Sequence, residues 1–176
     1  MALKVGDKMI DFKLKNVDGR IIASNEYAHK EVVGVIFTCN HCPYVLAWED
    51  RLIQIQVDYT NAGVQFVLIN ANDSVKYPAD SFEKMQEQAQ KKGYPFPYLH
   101  DETQEVARAY GAERTPEVFL FDKDGRLAYH GAPDDNYADS EAVNEHYLRD
   151  ALDAILAGTE PKIKETPAQG CTIKWK

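Results

Sequence analysis

The rhythm of apolar and polar residues changes several times along the chain, and each change marks an element. Met9-Ile10-Asp11-Phe12-Lys13-Leu14-Lys15 alternates as an edge or half-buried strand does, and Asp18-Gly19 supplies a hairpin turn into Arg20-Ile21-Ile22-Ala23. The polar stretch from Ser24 to Glu31 leaves room for one turn of helix. Val32-Val33-Gly34-Val35-Ile36-Phe37 is then an unbroken β-branched and aromatic run, short enough for a buried strand. Beyond it Val45, Leu46, Leu52, Ile53 and Val57 fall near helical spacing and predict a helix from about Pro43 to Asn61, ended by Gly63. Val64-Gln65-Phe66-Val67-Leu68-Ile69 is a second buried strand. If it runs parallel to the first, the loop from Asn70 to Ser74 emerges on the same sheet edge as residues 39–42.

The second half continues the alternation. A helix is predicted over about Asp80 to Lys92, with Asp80 and Glu83 at capping-box spacing. A short strand over Phe96-Pro97-Tyr98-Leu99 follows, then a short helix opened by Asp101 and Gln104 and stopped by Gly111. Thr115 to Phe121 reads as a strand, and Asp124-Gly125 turns it into Arg126-Leu127-Ala128-Tyr129. The last helix is expected over about Ser140 to Ala157, with Tyr147, Leu148, Ala151, Leu152 and Ile155 as its buried stripe. There is no internal repeat. The expectation is one domain over residues 1–176, with the polar tail 159–176 packed back onto it through Ile173 and Trp175.

Composition narrows the field. The chain has 176 residues, enough to bury a core without disulfide staples, and 44% hydrophobic content is ordinary for a globular protein. Its net charge of −8 argues against a nucleic-acid backbone or an anionic membrane as partner. The N-terminal residues form no apolar leader, and no run approaches the ~18 apolar residues of a membrane span, so the expected compartment is the cytoplasm. Three cysteines, two of them in one Cys-x-x-Cys, do not make a secreted disulfide framework. A zinc site would have to be completed by Cys171 and distant histidines, so no metal and no cofactor are expected.

The chemistry concentrates where the first buried strand meets the first long helix, at Thr38-Cys39-Asn40-His41-Cys42-Pro43. A cysteine at a helix start faces unpaired backbone N–H groups and the positive end of the peptide dipoles, and both favour the thiolate that attacks. Two intervening residues let the second thiol close on the first as a disulfide. His41 adds an electropositive group beside Cys39. Disulfide oxidants and isomerases, with potentials near −120 to −180 mV, carry histidine there too, so the couple is expected to be more oxidising than thioredoxin at about −270 mV. Farther on, Thr115-Pro116 opens a predicted central strand, which proline tolerates only at the first position.

Strand, paired thiols and helix, followed by a β-hairpin and a helix, resemble the thioredoxin-like superfamily. More narrowly, the N-terminal hairpin, the inserted Asn70-Ala71-Asn72-Asp73 segment with its helix, and the Phe121-Asp122-Lys123-Asp124-Gly125 hairpin resemble redoxins of the alkyl hydroperoxide reductase/thiol-specific antioxidant group and their cytochrome-maturation cousins. Bacterial thioredoxin family proteins with the same Cys39-Asn40-His41-Cys42-Pro43 motif and the same closing Gly170-Cys171-x-Ile173-Lys174-Trp175 look most similar. The resemblance implies an α/β fold with a central mixed sheet flanked by helices, an N-terminal hairpin and an inserted helix. It implies a thiol-disulfide oxidoreductase in which Cys39 attacks and Cys42 resolves the mixed disulfide. It also implies a cis bond at Thr115-Pro116, facing the disulfide and leaving the Thr115 backbone free to pair with a substrate chain. Partners would be protein or small-molecule disulfides and thiols, together with a redox partner protein.

Departures from the pattern stay in view. Thr38 replaces the tryptophan that precedes the first cysteine in thioredoxin. The proton-shuttling carboxylate of thioredoxin has no clear counterpart, since Glu49 reads as a solvated helix residue. Cys171 is open to three readings: packed filler, free surface thiol or third redox partner, of which packed filler is favoured. The rival function is a thiol peroxidase, because Cys42-Pro43 resembles the peroxidatic Cys-Pro of peroxiredoxins. Gly131 to Tyr147, however, holds no arginine to polarise a peroxide. The acidic loop Asp134 to Asp139 reads as a solvated turn, with a partner or cation contact as the sharper alternative.

Overall fold

The computed structural model describes residues 2–176. Its strands are β1 (Lys13–Asn16), β2 (Ile21–Ala23), β3 (Val32–Thr38), β4 (Val64–Asn70), β5 (Tyr98–His100), β6 (Arg114–Thr115), β7 (Glu117–Phe121), β8 (Leu127–Gly131) and β9 (Cys171–Thr172). Its α-helices are α1 (Pro43–Tyr59), α2 (Phe82–Lys92), α3 (Glu105–Tyr110) and α4 (Tyr147–Leu156). Seven strands form one mixed sheet in the order β2-β1-β5-β4-β3-β7-β8, and β6 and β9 make a separate two-stranded pair.

The middle of the sheet decides where the site lies. β3 and β4 run parallel in register from Val32–Val64 to Thr38–Asn70, so both end on the same edge. On its other side β3 pairs antiparallel with β7. Because β3 is covered on both faces, its successive side chains enter different cores. Val33, Val35 and Phe37 join Tyr110, Phe119 and Phe121 on the α3 side. Val32 and Ile36 join Leu52, Phe66, Leu120, Leu148 and Leu152 beneath α1 and α4. Gly34 belongs here for steric reasons: a Cβ would fall 2.6 Å from the Phe66 ring. Each fully buried leucine or phenylalanine contributes ~2 kcal/mol, so these two layers fix the level of the sheet edge.

Several elements depart from the sequence reading. β1 begins only at Lys13, because the Phe12 N–H donates to the Ser24 hydroxyl at 3.0 Å rather than to the Ser24 carbonyl across the ladder. On α1 the buried face is Val45, Trp48, Glu49, Leu52, Ile55 and Gln56, whereas Leu46 and Val57 are half exposed. Gln56 goes inward because its amide bonds Val64 C=O at 3.0 Å and Phe66 N–H at 2.6 Å. α2 is capped by the Ser81 hydroxyl, which accepts from Lys84 N–H, and not by Asp80. α4 starts at Tyr147 rather than near Ser140. Side-chain carboxylates hold the preceding segment instead: Asp139 accepts Glu141 N–H in a local Asx bond, and Asp135 accepts Asn144 N–H from nine residues on. Asp101 does serve α3, accepting Ala107 N–H at 2.8 Å.

No helix among the described residues is long and apolar enough to cross a membrane.

Candidate active site

β3 delivers Thr38 to the sheet edge, where it stays in the ladder opposite Asn70. The next residues leave the strand, and α1 begins at Pro43 with Cys42 as its N-cap. Proline suits this first helical position, where its fixed φ is already helical and its missing N–H costs nothing. This corrects the expected placement: Cys42, and not Cys39, sits at the helix start. Cys39 lies three residues earlier, on the turn between strand and helix.

The two sulfurs meet over Thr115. Its hydroxyl lies 3.5 Å from Cys39 Sγ, and its carbonyl accepts from the Cys42 thiol at 3.6 Å. The Thr115–Pro116 peptide bond is cis, and Pro116 opens onto β7 from the neighbouring β6. Thus Cys39 and Cys42 meet at Thr115, the residue before the cis proline, but the Thr115 backbone expected to be free for a substrate chain is paired with Cys171.

Their electrostatics are unequal. Cys42 is held well below the ordinary thiol range. The Cys39 thiol donates to it, and the Cys171 thiol and the backbone N–H groups of Val45 and Cys171 add to this against the cost of burial. Cys39 is pushed up, first by the hydrogen bond to Cys42 and then by burial, with the Asp80 charge adding to both and the Thr115 hydroxyl opposing them.

Asp80 is the residue that sequence reasoning missed. It is fully buried, and it gathers Asn40 N–H (2.8 Å), Asn70 Nδ2 (3.0 Å) and Asn72 Nδ2 (3.0 Å). The exposed imidazole of His41 approaches it at 3.4 Å. Asn40 faces inward: its amide donates to Ala79 C=O, and its carbonyl accepts the Tyr98 hydroxyl at 2.6 Å. So Asn40 and His41 touch the carboxylate rather than the sulfurs. A signal did exist, since a carboxylate next to Ser81 left two candidate caps and freed one of them. Glu49 is also corrected. It is buried, bound by Tyr94 Oη at 2.6 Å and Gln88 Nε2 at 2.7 Å, with Lys92 at 3.5 Å.

Both active sulfurs are covered. Cys39 is 2% and Cys42 4% exposed, while Cys171 is more open. The cover is the tail: β9 pairs antiparallel with β6, with Cys171 opposite Thr115, and Cys171 packs with Tyr44 on the dithiol. The Tyr137 ring packs at a tilt against Tyr44, with centroids 4.3 Å apart. It comes from the acidic loop, which is no solvated turn: Asp134 is buried and paired to Arg51 at 2.8 Å, and Arg51 also bonds the carbonyls of Asn136 and Tyr137. Among the described residues no group of three or more His, Cys, Asp or Glu side chains could hold a metal.

The sheet order, the helices packed on it and the thiols at the edge of its parallel centre define a thioredoxin-like fold. The AhpC/TSA family model matches residues 5–130, and the chain belongs to that redoxin family. Among curated relatives, the thiol-disulfide oxidoreductase ResA of Geobacillus thermodenitrificans (strain NG80-2) is 29% identical over 128 residues, 72% of this chain and 68% of that protein. Among solved structures, an uncharacterized conserved protein from Geobacillus kaustophilus aligns with a TM-score of 0.94 and 42% identity, over 99% of this chain and 93% of the other. A hypothetical protein from Sinorhizobium meliloti 1021 aligns equally well (TM-score 0.94), at 36% identity over 100% and 97%. A thiol:disulfide interchange protein DsbE from Chlorobium tepidum, at 23% identity and a TM-score of 0.63 over 73% and 85%, shares the fold.

Proposed function

We propose that the chain is a thiol-disulfide oxidoreductase in which Cys39 and Cys42 cycle between dithiol and disulfide. Cys42 is the thiolate that attacks, and Cys39 is the thiol that closes the ring. The observation that carries this reading is Cys42 at the N-cap of α1, with Cys39 beside it and both sulfurs against Thr115. It exchanges the roles expected from the motif, because the field of the helix start acts on Cys42. Attack of Cys42 on a partner disulfide forms a mixed disulfide and releases one partner thiolate. Cys39 then attacks the Cys42 sulfur, the Cys39–Cys42 bond forms, and the second partner sulfur leaves. Distant similarity to proteins named for thiol-disulfide exchange supports the class. Partners are protein or small-molecule disulfides and thiols, with a redox protein to reset the couple.

Reduction of insulin disulfides by single variants tests it. Cys42→Ser abolishes turnover, and Cys39→Ser accumulates a mixed disulfide at Cys42. Full turnover by Cys42→Ser would overturn the assignment.

A second reading has one observation in its favour: an ionised Cys42 followed by Pro43 at a helix start also suits attack on a peroxide. Against it, Arg51, the nearest arginine along α1, is committed to Asp134 and two carbonyls. Cys39→Ser is therefore expected to consume hydrogen peroxide no faster than free cysteine, and rapid consumption would favour the peroxidase.

A further inference from the structure

The thiol couple is closed off from solvent, and what closes it is the chain's own cysteine-bearing tail. β9 takes the edge of β6, so that Cys171 stands opposite Thr115, the residue that touches both Cys39 and Cys42. An extended strand paired at this position, with a cysteine at the pairing residue, presents its sulfur where a substrate cysteine would arrive. The tail is tied on both sides of that cysteine. Before it, Arg114 Nη1 donates to Gly170 C=O at 2.8 Å, and Gly170 has no room for a Cβ against the Thr115 carbonyl. After it, Ile173 N–H donates to Glu113 C=O, Lys174 N–H to Asn72 Oδ1, and Asp73 N–H to Lys174 C=O, at 2.7 to 2.9 Å. Gln104, held at a left-handed φ of 67°, spans the gap between Ala71 C=O and Lys174 C=O. A tail needed only as cover would not require its one cysteine to pack against the dithiol.

We propose that Cys171 is a third redox-active thiol, forming a disulfide with Cys42 that alternates with the Cys39–Cys42 disulfide. The proposal rests on the dithiol reading above. In the oxidised protein the Cys171 thiolate attacks the Cys42 sulfur. The Cys42–Cys171 bond forms, the Cys39–Cys42 bond breaks, and the electron pair leaves on Cys39, which takes up the proton Cys171 lost. No oxidant is consumed, because one disulfide replaces another. A dithiol reductant from outside then attacks Cys171, the most open of the three sulfurs, and expels Cys42 as thiolate; the second thiol of the reductant releases Cys171 and carries away the disulfide. Cys42 leaves well because a low-pKa thiolate is the better leaving group. Timing follows from charge. Burial is the main influence raising Cys171, to about 11, and the neighbouring Cys42 adds to it. When Cys42 is in a disulfide its charge is gone, so Cys171 becomes more reactive only when there is a bond for it to exchange. Cys171 thus connects a buried couple to a partner that never has to enter the pocket.

Disulfide mapping of the full chain tests this. The wild type, Cys39→Ser and Cys171→Ser are oxidised with one equivalent of diamide, quenched in acid, alkylated and digested without reduction for mass spectrometry. Circular dichroism checks the fold of the variants. The proposal expects a monomeric Cys42–Cys171 linkage in the wild type beside Cys39–Cys42, and loss of both remaining free thiols in Cys39→Ser. It is overturned if neither protein contains that linkage, or if Cys171 appears only in disulfides between chains. Cys171→Ser separates the two readings. If it still forms Cys39–Cys42 while the wild type shows no Cys42–Cys171, the relay fails and the couple stands. If Cys39–Cys42 forms in neither protein, the couple itself fails.

Discussion

Glu117 Oε2 lies 2.6 Å from His130 Nε2, and through its other oxygen the same carboxylate accepts the N–H groups of Glu113 (2.9 Å) and Arg114 (3.0 Å). A buried pair between β7 and β8 therefore anchors the two residues that lead into Thr115, and Thr115 in turn sets the height at which both cysteines rest. Replacing Glu117 by alanine leaves two N–H groups and a half-buried imidazole without their acceptor. Removing one partner of a buried pair costs about 3 kcal/mol. The expected outcome is a loss of that size in urea unfolding, with loosened β6 even in the folded protein. A loss below about 1 kcal/mol would mean that water takes over the role of the carboxylate.

The same pair makes stability depend on pH. Burial alone lowers His130, but the hydrogen bond it donates to Glu117 and the charges of Glu117 and Glu165 outweigh it, and the imidazole is raised above its ordinary 6.5. A group raised in the folded state binds its proton more tightly there than in the unfolded chain. Its contribution is therefore complete below about pH 6.5 and is lost as pH rises through the folded value. Urea midpoints of the wild type should fall across that interval relative to those of His130→Gln, which lacks the proton. Parallel profiles for the two proteins would remove His130 from the account.

Asp80 concerns the thiols themselves. Among the influences that keep Cys39 protonated, the bond to Cys42 and burial come first, and the Asp80 charge adds to them. Asp80→Asn removes the charge and keeps the shape. Reduced thiols next to one negative charge fewer are easier to ionise, so the reduced form gains and the couple becomes more oxidising, by ~10–30 mV. Stability falls by ~1–3 kcal/mol, because Asn40, Asn70 and Asn72 lose a charged acceptor. Equilibration with a glutathione buffer measures the first effect, and a potential that stays put or becomes more negative contradicts it.

Most of what builds the sheet could be read from residue order. The run from Val32 to Phe37 can only be a buried strand, the stretch from Val64 to Ile69 repeats it, and the turns at Asp18-Gly19 and Asp124-Gly125 pair their strands locally. The thiols and the proline opposite them were likewise legible, since the motif lies at a strand-to-helix transition. What periodicity does not carry is the direction of a polar side chain that is buried because it is bonded. Asp80, Glu49, Gln56 and Asp134 look like surface residues until Asn40, Tyr94, Val64 and Arg51 arrive from elsewhere in the chain. The helix start near Pro43 was legible as well, since proline favours the first helical position; which cysteine stands at its N-cap was not. The pairing of β9 with β6 joins residues more than fifty apart through two-residue strands, too short for any pattern.

That pairing yields the last prediction. At Gly170 the chain passes so close to Thr115 that a Cβ would overlap the Thr115 carbonyl. Thr115 cannot yield, because Glu117 fixes the residues before it and the β3–β7 ladder fixes those after it. In Gly170→Ala the tail must move instead. The bond from Arg114 to Gly170 and the short β6–β9 pair are lost first, while the bonds of Lys174 to Asn72 and Asp73 hold the far end. Hydrogen bonds of this kind are worth ~1 kcal/mol each, so local opening becomes easier by ~1–2 kcal/mol without unfolding the sheet. Cys42, covered in the wild type, should then react with iodoacetamide about tenfold faster, the ratio that ~1.4 kcal/mol represents. Amide exchange at Ile173 should accelerate alongside it. Unchanged alkylation in a variant whose tail exchanges freely would show that something other than β9 protects the sulfur.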